Sequence, residues 1–328
     1  MKRANNLMPR ILEPDNLRLA FWKAAKGKRY SQEVLDFQEH LEANLFDLRM
    51  QLSTGLVDVG KYRYFKIFEP KERQICASAF SEQVLHHAMM NVCHEYFERH
   101  LVFDSYASRK GKGVHAALDR ARQYTQAYPW YLKLDVRKFF DSVHHHVLKE
   151  QLSRMFKDPR VLEIFEKIID SYEASSDRGL PIGNLTSQYF ANHFLSGLDH
   201  FIKENLQAAA YVRYMDDMVL WHNDKSVLKN SFWAITEYVE NNLQGALKPE
   251  IIAPSKRGLT FLGYRHFPGR MELSQQSKQR FIRKMRVLEE NYDSGNWSAA
   301  SCQRHVLPLL AFVEHADARN FRKSVFLQ

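Results

Sequence analysis

Two aspartates stand side by side in "YVRYMDDMVLW" (Tyr211–Trp221), inside a run that is otherwise apolar and β-prone. Adjacent carboxylates repel, and withdrawing them from water raises the cost of ionising both. A multivalent cation relieves that cost, so Asp216 and Asp217 are candidate metal ligands. A third carboxylate, Asp135, ends the strand-like stretch "LKLDVRKFFDS", where a chain leaving a sheet exposes a ligand. Hard oxygen donors of this kind suit Mg²⁺ or Mn²⁺, which complete their shells with water and substrate phosphates. Two such ions about 4 Å apart would activate a 3′-hydroxyl and stabilise departing pyrophosphate in an in-line displacement. Taken singly, a DD pair is more often a solvated turn, and an Asp after a strand an N-cap. Only their order and surroundings argue for chemistry.

The elements around them follow from periodicity. Residues 31–58 repeat apolar positions every three or four residues, as an amphipathic helix does. "YRYFKIFEPKERQICAS" alternates like a strand, turns at Glu69–Pro70 and resumes as a second strand. "SEQVLHHAMMNVCHEYFERHL" predicts a helix with Ser81 as N-cap. Trp130–Phe140 predicts a strand leading to a helix near Ser142, and "LTSQYFANHFLSGLDHFIKENL" predicts one long helix. Tyr211–Trp221 predicts strand–turn–strand, "GLTFLGYRHF" a hairpin, and the chain from Ser274 onward basic helices. Long helices interrupted by hairpins predict an α+β fold rather than a doubly wound parallel sheet.

The chain has 328 residues, 45% hydrophobic and 26% charged, enough for a substantial core. No apolar run approaches the ~20 residues needed to cross a bilayer, and the start of the chain shows no apolar signal stretch. Cys76, Cys93 and Cys302 are scattered, as in a reducing compartment, so a cytoplasmic protein with no membrane association is expected. The formal charge of +9 suits a polyanionic partner. Arg109, Lys110 and Lys112 in "SYASRKGKGVHAAL" sit among glycines before a helix, a plausible phosphate cradle without the spacing of a P-loop. The triplet His144–His146 reads as a solvated helix start, since consecutive helical residues diverge.

From about Tyr62 to Arg265 the chain resembles a reverse transcriptase. "LKLDVRKFFDSV" resembles the family's first catalytic motif, "YMDD" the second, "GLPIGNLTSQYFAN" the segment against template and incoming nucleotide, and "GLTFLGYR" the primer grip. The resemblance implies a right hand with fingers, a ferredoxin-like palm and a helical thumb. It divides the chain into N-terminal helices and fingers (1–85), palm with Asp135 (86–146), further fingers (147–181), palm with YMDD and primer grip (182–270) and thumb (271–328). Asp135, Asp216 and Asp217 would then be the catalytic aspartates, holding two Mg²⁺ ions (or Mn²⁺) with the Val136 carbonyl. Phe140 would be the steric gate against a 2′-OH, and Lys71 and Arg73 would reach the triphosphate. Ile182, Gly183 and Gln188 would border the nucleotide, and Lys248 would protonate pyrophosphate. Arg109, Lys110, Lys112, Gly263, Tyr264, Lys278 and Arg283 would contact template or primer, with Arg280, Lys284 and Arg286 extending the basic thumb face.

Ile182–Gly183 stands where retroviral and intron relatives usually carry Gln-Gly, and Ser187–Gln188 where they carry Ser-Pro. "IGNLTSQ" resembles the enzymes of diversity-generating retroelements, which copy a template RNA into cDNA from dNTPs with errors opposite adenine. Such enzymes work with a small basic helical accessory protein. The alternative is an antiphage-defence reverse transcriptase acting with a dedicated noncoding RNA. A third reading, an RNA-binding scaffold, is disfavoured by the intact aspartate trio. No maturase, endonuclease or RNase H region is expected in the remaining length.

Overall fold

A computed structural model describes residues 3–68 and 72–326. The chain opens with four helices, α1 (Met8–Ile11), α2 (Pro14–Ala24), α3 (Gln32–Glu39) and α4 (Leu41–Thr54). A hairpin of β1 (Tyr62–Ile67) and β2 (Arg73–Ser78) leads to α5 (Phe80–His100), α6 (Val114–Ala127) and β3 (Trp130–Asp135). Then come α7 (Phe139–Ser142), α8 (His145–Met155), α9 (Pro159–Asp170), α10 (Leu185–Phe194) and α11 (Ser196–His200), the last running into a π-helical turn. The YMDD hairpin is β4 (Ala210–Tyr214) and β5 (Asp217–His222), followed by α12 (Lys225–Leu243) and β6 (Ile251–Pro254). Strands β7 (Leu259–Phe261), β8 (Tyr264–Phe267) and β9 (Arg270–Leu273) precede α13 (Gln275–Asp293), α14 (Ala299–Glu314) and α15 (Arg319–Phe326).

These elements form two compact units. The first comprises Met1–Arg109, Asp135–Gln207 and Trp233–Lys248. Its core is aromatic: Phe21 stacks on Phe37, Phe37 meets Phe80 edge-on, and Phe97, Phe156, Phe165 and Phe190 interlock further along α5. Each such buried ring contributes roughly 1.5–3 kcal/mol of burial. Asp158 caps α9 through the N–H groups of Arg160 and Val161, and its other oxygen accepts from Leu7 and Met8. One carboxylate thus satisfies two helix starts.

The second unit comprises Lys110–Leu134, Ala208–Phe232 and Pro249–Gln328. It carries a four-stranded sheet in the order β4-β5-β3-β6 and a three-stranded antiparallel sheet β7-β8-β9. Strands β4 and β5 are buried along nearly their whole length, as in a sheet covered on both faces. Helix α6 packs on β4, and the Trp221 indole donates to Thr125 Oγ1 at 3.2 Å. Ser274 and Ser298 cap α13 and α14 by accepting from Ser277 and Ser301 N–H.

Several sequence expectations change in detail. The helix over 31–58 is two helices, broken at His40 (φ −116°, ψ 36°). Helix α5 starts at Phe80 after Ala79, so Ser81 lies in its first turn rather than at the cap. The strand from Trp130 ends at Asp135, and Lys138 adopts a left-handed conformation before α7. The long helix after Asn184 is interrupted at Leu195 and ends in the π turn. Within the histidine triplet, His145 is buried and bound through Nε2 to Gly179 O at 2.7 Å, not solvated. The turn expected at Glu69–Pro70 lies outside the described residues, of which no helix is long and apolar enough to cross a membrane.

Candidate active site

In the four-stranded sheet β3 and β5 are neighbours; β3 ends at Asp135 and β5 begins at Asp217. The β4–β5 register pairs Tyr214 with Asp217, so Met215 and Asp216 form a two-residue turn. Met215 has φ +53° in the first turn position, a conformation usually left to glycine. Arg213, wholly buried, donates from Nη1 to Met215 O at 3.1 Å and braces this turn. Asp217 Oδ2 lies 3.1 Å from Lys133 Nζ, and Lys133 precedes Asp135 by two positions on β3. Alternate strand residues share a face, so Lys133 and Asp135 project the same way.

Beyond β3, Val136 forms an isolated bridge with Leu247. Lys248 N donates to Asp135 O and Arg137 N to Ala246 O, at 2.9 and 2.8 Å. That pattern is a non-hydrogen-bonded antiparallel pair, in which the Val136 N–H and C=O point away from Leu247. The carbonyl expected to ligate metal is therefore outside this bridge. Lys248 Nζ is 2.7 Å from Asp135 Oδ1, an oxygen shielded from solvent. Among the described residues no three His, Cys, Asp or Glu side chains form a ready-made metal cage. The donors that are present, carboxylates held by lysines and a backbone carbonyl, fit Mg²⁺, which takes few protein ligands and keeps water and phosphate.

The segment before α10 is fixed by backbone. Ile182 O accepts from Cys76 N at 2.8 Å, and Ile182 is half-buried. Gly183 has φ +129°, and a Cβ there would lie 2.8 Å from Cys76 O. Gly183 and Gln188 line a pocket of about 440 Å³ with Phe65, Ile75, Gln83 and His87. Gln188 Oε1 accepts from Ser108 Oγ at 3.1 Å. Phe139 is core, whereas Phe140 is half-buried and its carbonyl accepts from Leu180 N at 2.7 Å. Arg73 is exposed at the start of β2, opposite Ile67; Lys71 lies outside the described residues.

Two residues expected at template or primer have partners within the protein. The Arg109 guanidinium is nearly buried, pairs with Glu98 at 2.6 Å and donates to Val102 O and Ser105 O. These bonds hold the turn after α5. Tyr264 is fully buried, its hydroxyl donates to Phe312 O at 2.8 Å, and burial pushes its pKa up to about 12. Its ring packs against Phe312. Gly263 (φ +88°) forms the preceding turn, and its carbonyl accepts from Ser274 N and Ser277 Oγ. Lys110 and Arg283 are exposed, Lys112 and Lys278 half-buried, and Lys278 Nζ lies 5.9 Å from the Phe321 ring centre. Sequence reasoning missed Lys133 and Arg213. The available signal was a cation embedded in an otherwise apolar strand beside the acidic motif.

A family model described as reverse transcriptase (RNA-dependent DNA polymerase) matches residues 69–266, well over half the chain. The chain belongs to the reverse transcriptase family, and RNA-directed DNA polymerase is the enzyme class expected from its motifs. Escherichia coli (strain K12) protein YkfC is 25% identical over 281 residues, covering 70% of this chain and 72% of that protein. A putative COX1/OXI3 intron 2 protein of Saccharomyces cerevisiae is 20% identical over 250 residues, 56% of this chain but 29% of its own length. Among solved structures, apo telomerase from Candida tropicalis matches with a TM-score of 0.51 at 12% identity, over 74% of this chain and 54% of that one. The fold is thus that of a reverse transcriptase, mixed helix and sheet as the α+β reading expected. The chain spans about half of that telomerase and under a third of the intron protein.

Proposed function

We propose that this protein copies a template RNA into cDNA by two-metal nucleotidyl transfer, in a diversity-generating retroelement. The observation that supports the chemistry is the pairing of Lys133 Nζ on β3 with Asp217 Oδ2 at the start of β5, its neighbour in the sheet. Asp135, Asp216, Asp217 and the Val136 carbonyl would hold two Mg²⁺ ions. Bound there, the metals would lower the pKa of the primer 3′-hydroxyl and screen charge on the triphosphate. Arg73, with Lys71, would orient the triphosphate. Phe140 would exclude a 2′-OH from the sugar position. Lys248, now paired with Asp135, has an ammonium able to give a proton to the leaving pyrophosphate once a cation takes over that carboxylate.

Infidelity is the part assigned to Ile182. Its carbonyl is engaged by Cys76 N, and its apolar side chain offers no hydrogen bond to a nascent pair. A site that makes no polar contact loses little when the wrong base enters, so discrimination falls. Lys110, Lys112, Gly263, Lys278 and Arg283 remain the proposed contacts to template and primer, and a small basic accessory protein the proposed partner. Purified protein given an RNA template, a DNA primer and dNTPs should make cDNA whose errors concentrate opposite adenine. Ile182→Gln should reduce those errors. An accurate wild-type product would remove the retroelement assignment and leave the polymerase.

A further inference from the structure

Lys133 sits between Leu132 and Leu134, both essentially buried, on a strand at the centre of the sheet. Its ammonium makes two directed contacts with distant segments, Asp217 Oδ2 at 3.1 Å and Thr260 O at 2.8 Å. The Phe261 ring centre is 6.0 Å away. Lys133 and Asp217 side chains are each only 21% exposed, so the pair is less screened than a surface ion pair. Thr260 belongs to β7, which leads directly into the Leu262–Gly263 turn expected to grip the primer.

We propose that Lys133 is a positioning residue for the polymerase reaction. It fixes the orientation of the Asp217 carboxylate, offsets one negative charge at the acidic hairpin, and ties that hairpin to the strand entering the primer-grip turn. The inference rests on the reading of Asp217 as a metal-site acid. Its physical consequence has an unusual sign. Losing a ligand weakens cation binding and slows catalysis together. Losing Lys133 leaves the carboxylates more negative but less ordered, so cations bind more tightly while catalysis slows.

The test is Mn²⁺ binding, followed by electron paramagnetic resonance, to protein carrying a dideoxy-terminated primer–template and dNTP, where no turnover occurs. Lys133→Gln should tighten Mn²⁺ binding roughly three- to tenfold, while extension of a normal primer at saturating metal slows about tenfold with little change in KM for dNTP. Lys133→Arg should return Mn²⁺ affinity to within about twofold of wild type. In an Asp217→Asn background, Lys133→Gln should shift Mn²⁺ affinity by less than about twofold, because the two residues act as a pair. Unchanged or weaker Mn²⁺ binding in a folded Lys133→Gln protein would overturn the proposal, as would an equal shift in both backgrounds. Lys133→Met gives the same comparison should the Gln variant not fold. Failure of the polymerase reading looks different: the wild-type protein itself would neither extend primer nor take up Mn²⁺ in that complex.

Discussion

At Gly183 the backbone has φ +129°, and any side chain would begin 2.8 Å from the Cys76 carbonyl. Gly183→Ala must therefore push β2 and the Ile182 segment apart. We expect a loss of about 1–3 kcal/mol in denaturant unfolding together with a raised KM for dNTP. At Phe140 the expected effect is on selectivity alone: Phe140→Ala should lower discrimination against ribonucleotides roughly ten- to a hundredfold in primer extension. Unaltered exclusion would end its assignment as the gate. The strand positions of the aspartates were legible from sequence, because β-prone runs frame Asp135 and Asp217. The burial of Arg109 was not legible, because its partner Glu98 lies eleven positions earlier, on a helix whose exit direction no local pattern reveals. Lys133 was overlooked since its role depends on pairing with a carboxylate eighty-four positions away.

At the level of elements, the YMDD hairpin holds a non-glycine residue in a strained turn. Met215 at φ +53° is braced by the buried Arg213 donating to its carbonyl. A β-branched side chain is less tolerant of that conformation than Asn. Met215→Val should thus be about 1–2 kcal/mol less stable than Met215→Asn by thermal or denaturant unfolding; equal stability would mean the turn carries no strain. Element identity was readable from periodicity, and breaks were not. The interruption at His40 and the α10–α11 break at Leu195 leave the apolar repeat intact. A repeat of apolar residues cannot report a break that leaves the repeat unchanged. Strand β3 ended early for a related reason. Val136, Phe139 and Phe140 are as β-prone as their predecessors, but the left-handed Lys138 turns the chain into α7.

Across the whole molecule, titration is dominated by histidines that folding removes from water. Burial pushes His86 and His193 down to about 3 and His266 to about 4. Each stays neutral when folded, while the unfolded chain takes up a proton below about pH 6.5. Their stabilisation is fully present above that pH and declines as the medium is acidified toward 4, by at most roughly 1.4 kcal/mol per histidine per pH unit. Glu82 acts oppositely: burial raises it to about 7, so its contribution is greatest below about 4.5 and is lost as pH rises to neutrality. With His87, which burial also holds down to about 4, four histidines against one carboxylic acid predict a melting midpoint that falls steadily from pH 6.5 to 4.5. Glu82→Gln, which keeps an acceptor for the Gly60 N–H, should raise stability at pH 8. A flat profile would contradict the buried, neutral state of these residues.

The overall charge of +9 suits a nucleic-acid partner without identifying it, and the family assignment rests on ordered motifs rather than on that balance. In the proposed function, what depends most on the three acids is bond formation itself. Single-turnover extension of a DNA primer on an RNA template should slow about a thousandfold or more in Asp135→Asn, since in the proposed mechanism the carboxylate would contribute several kcal/mol through the metals it would hold. A folded Asp135→Asn protein extending within about tenfold of the wild-type rate would contradict the account.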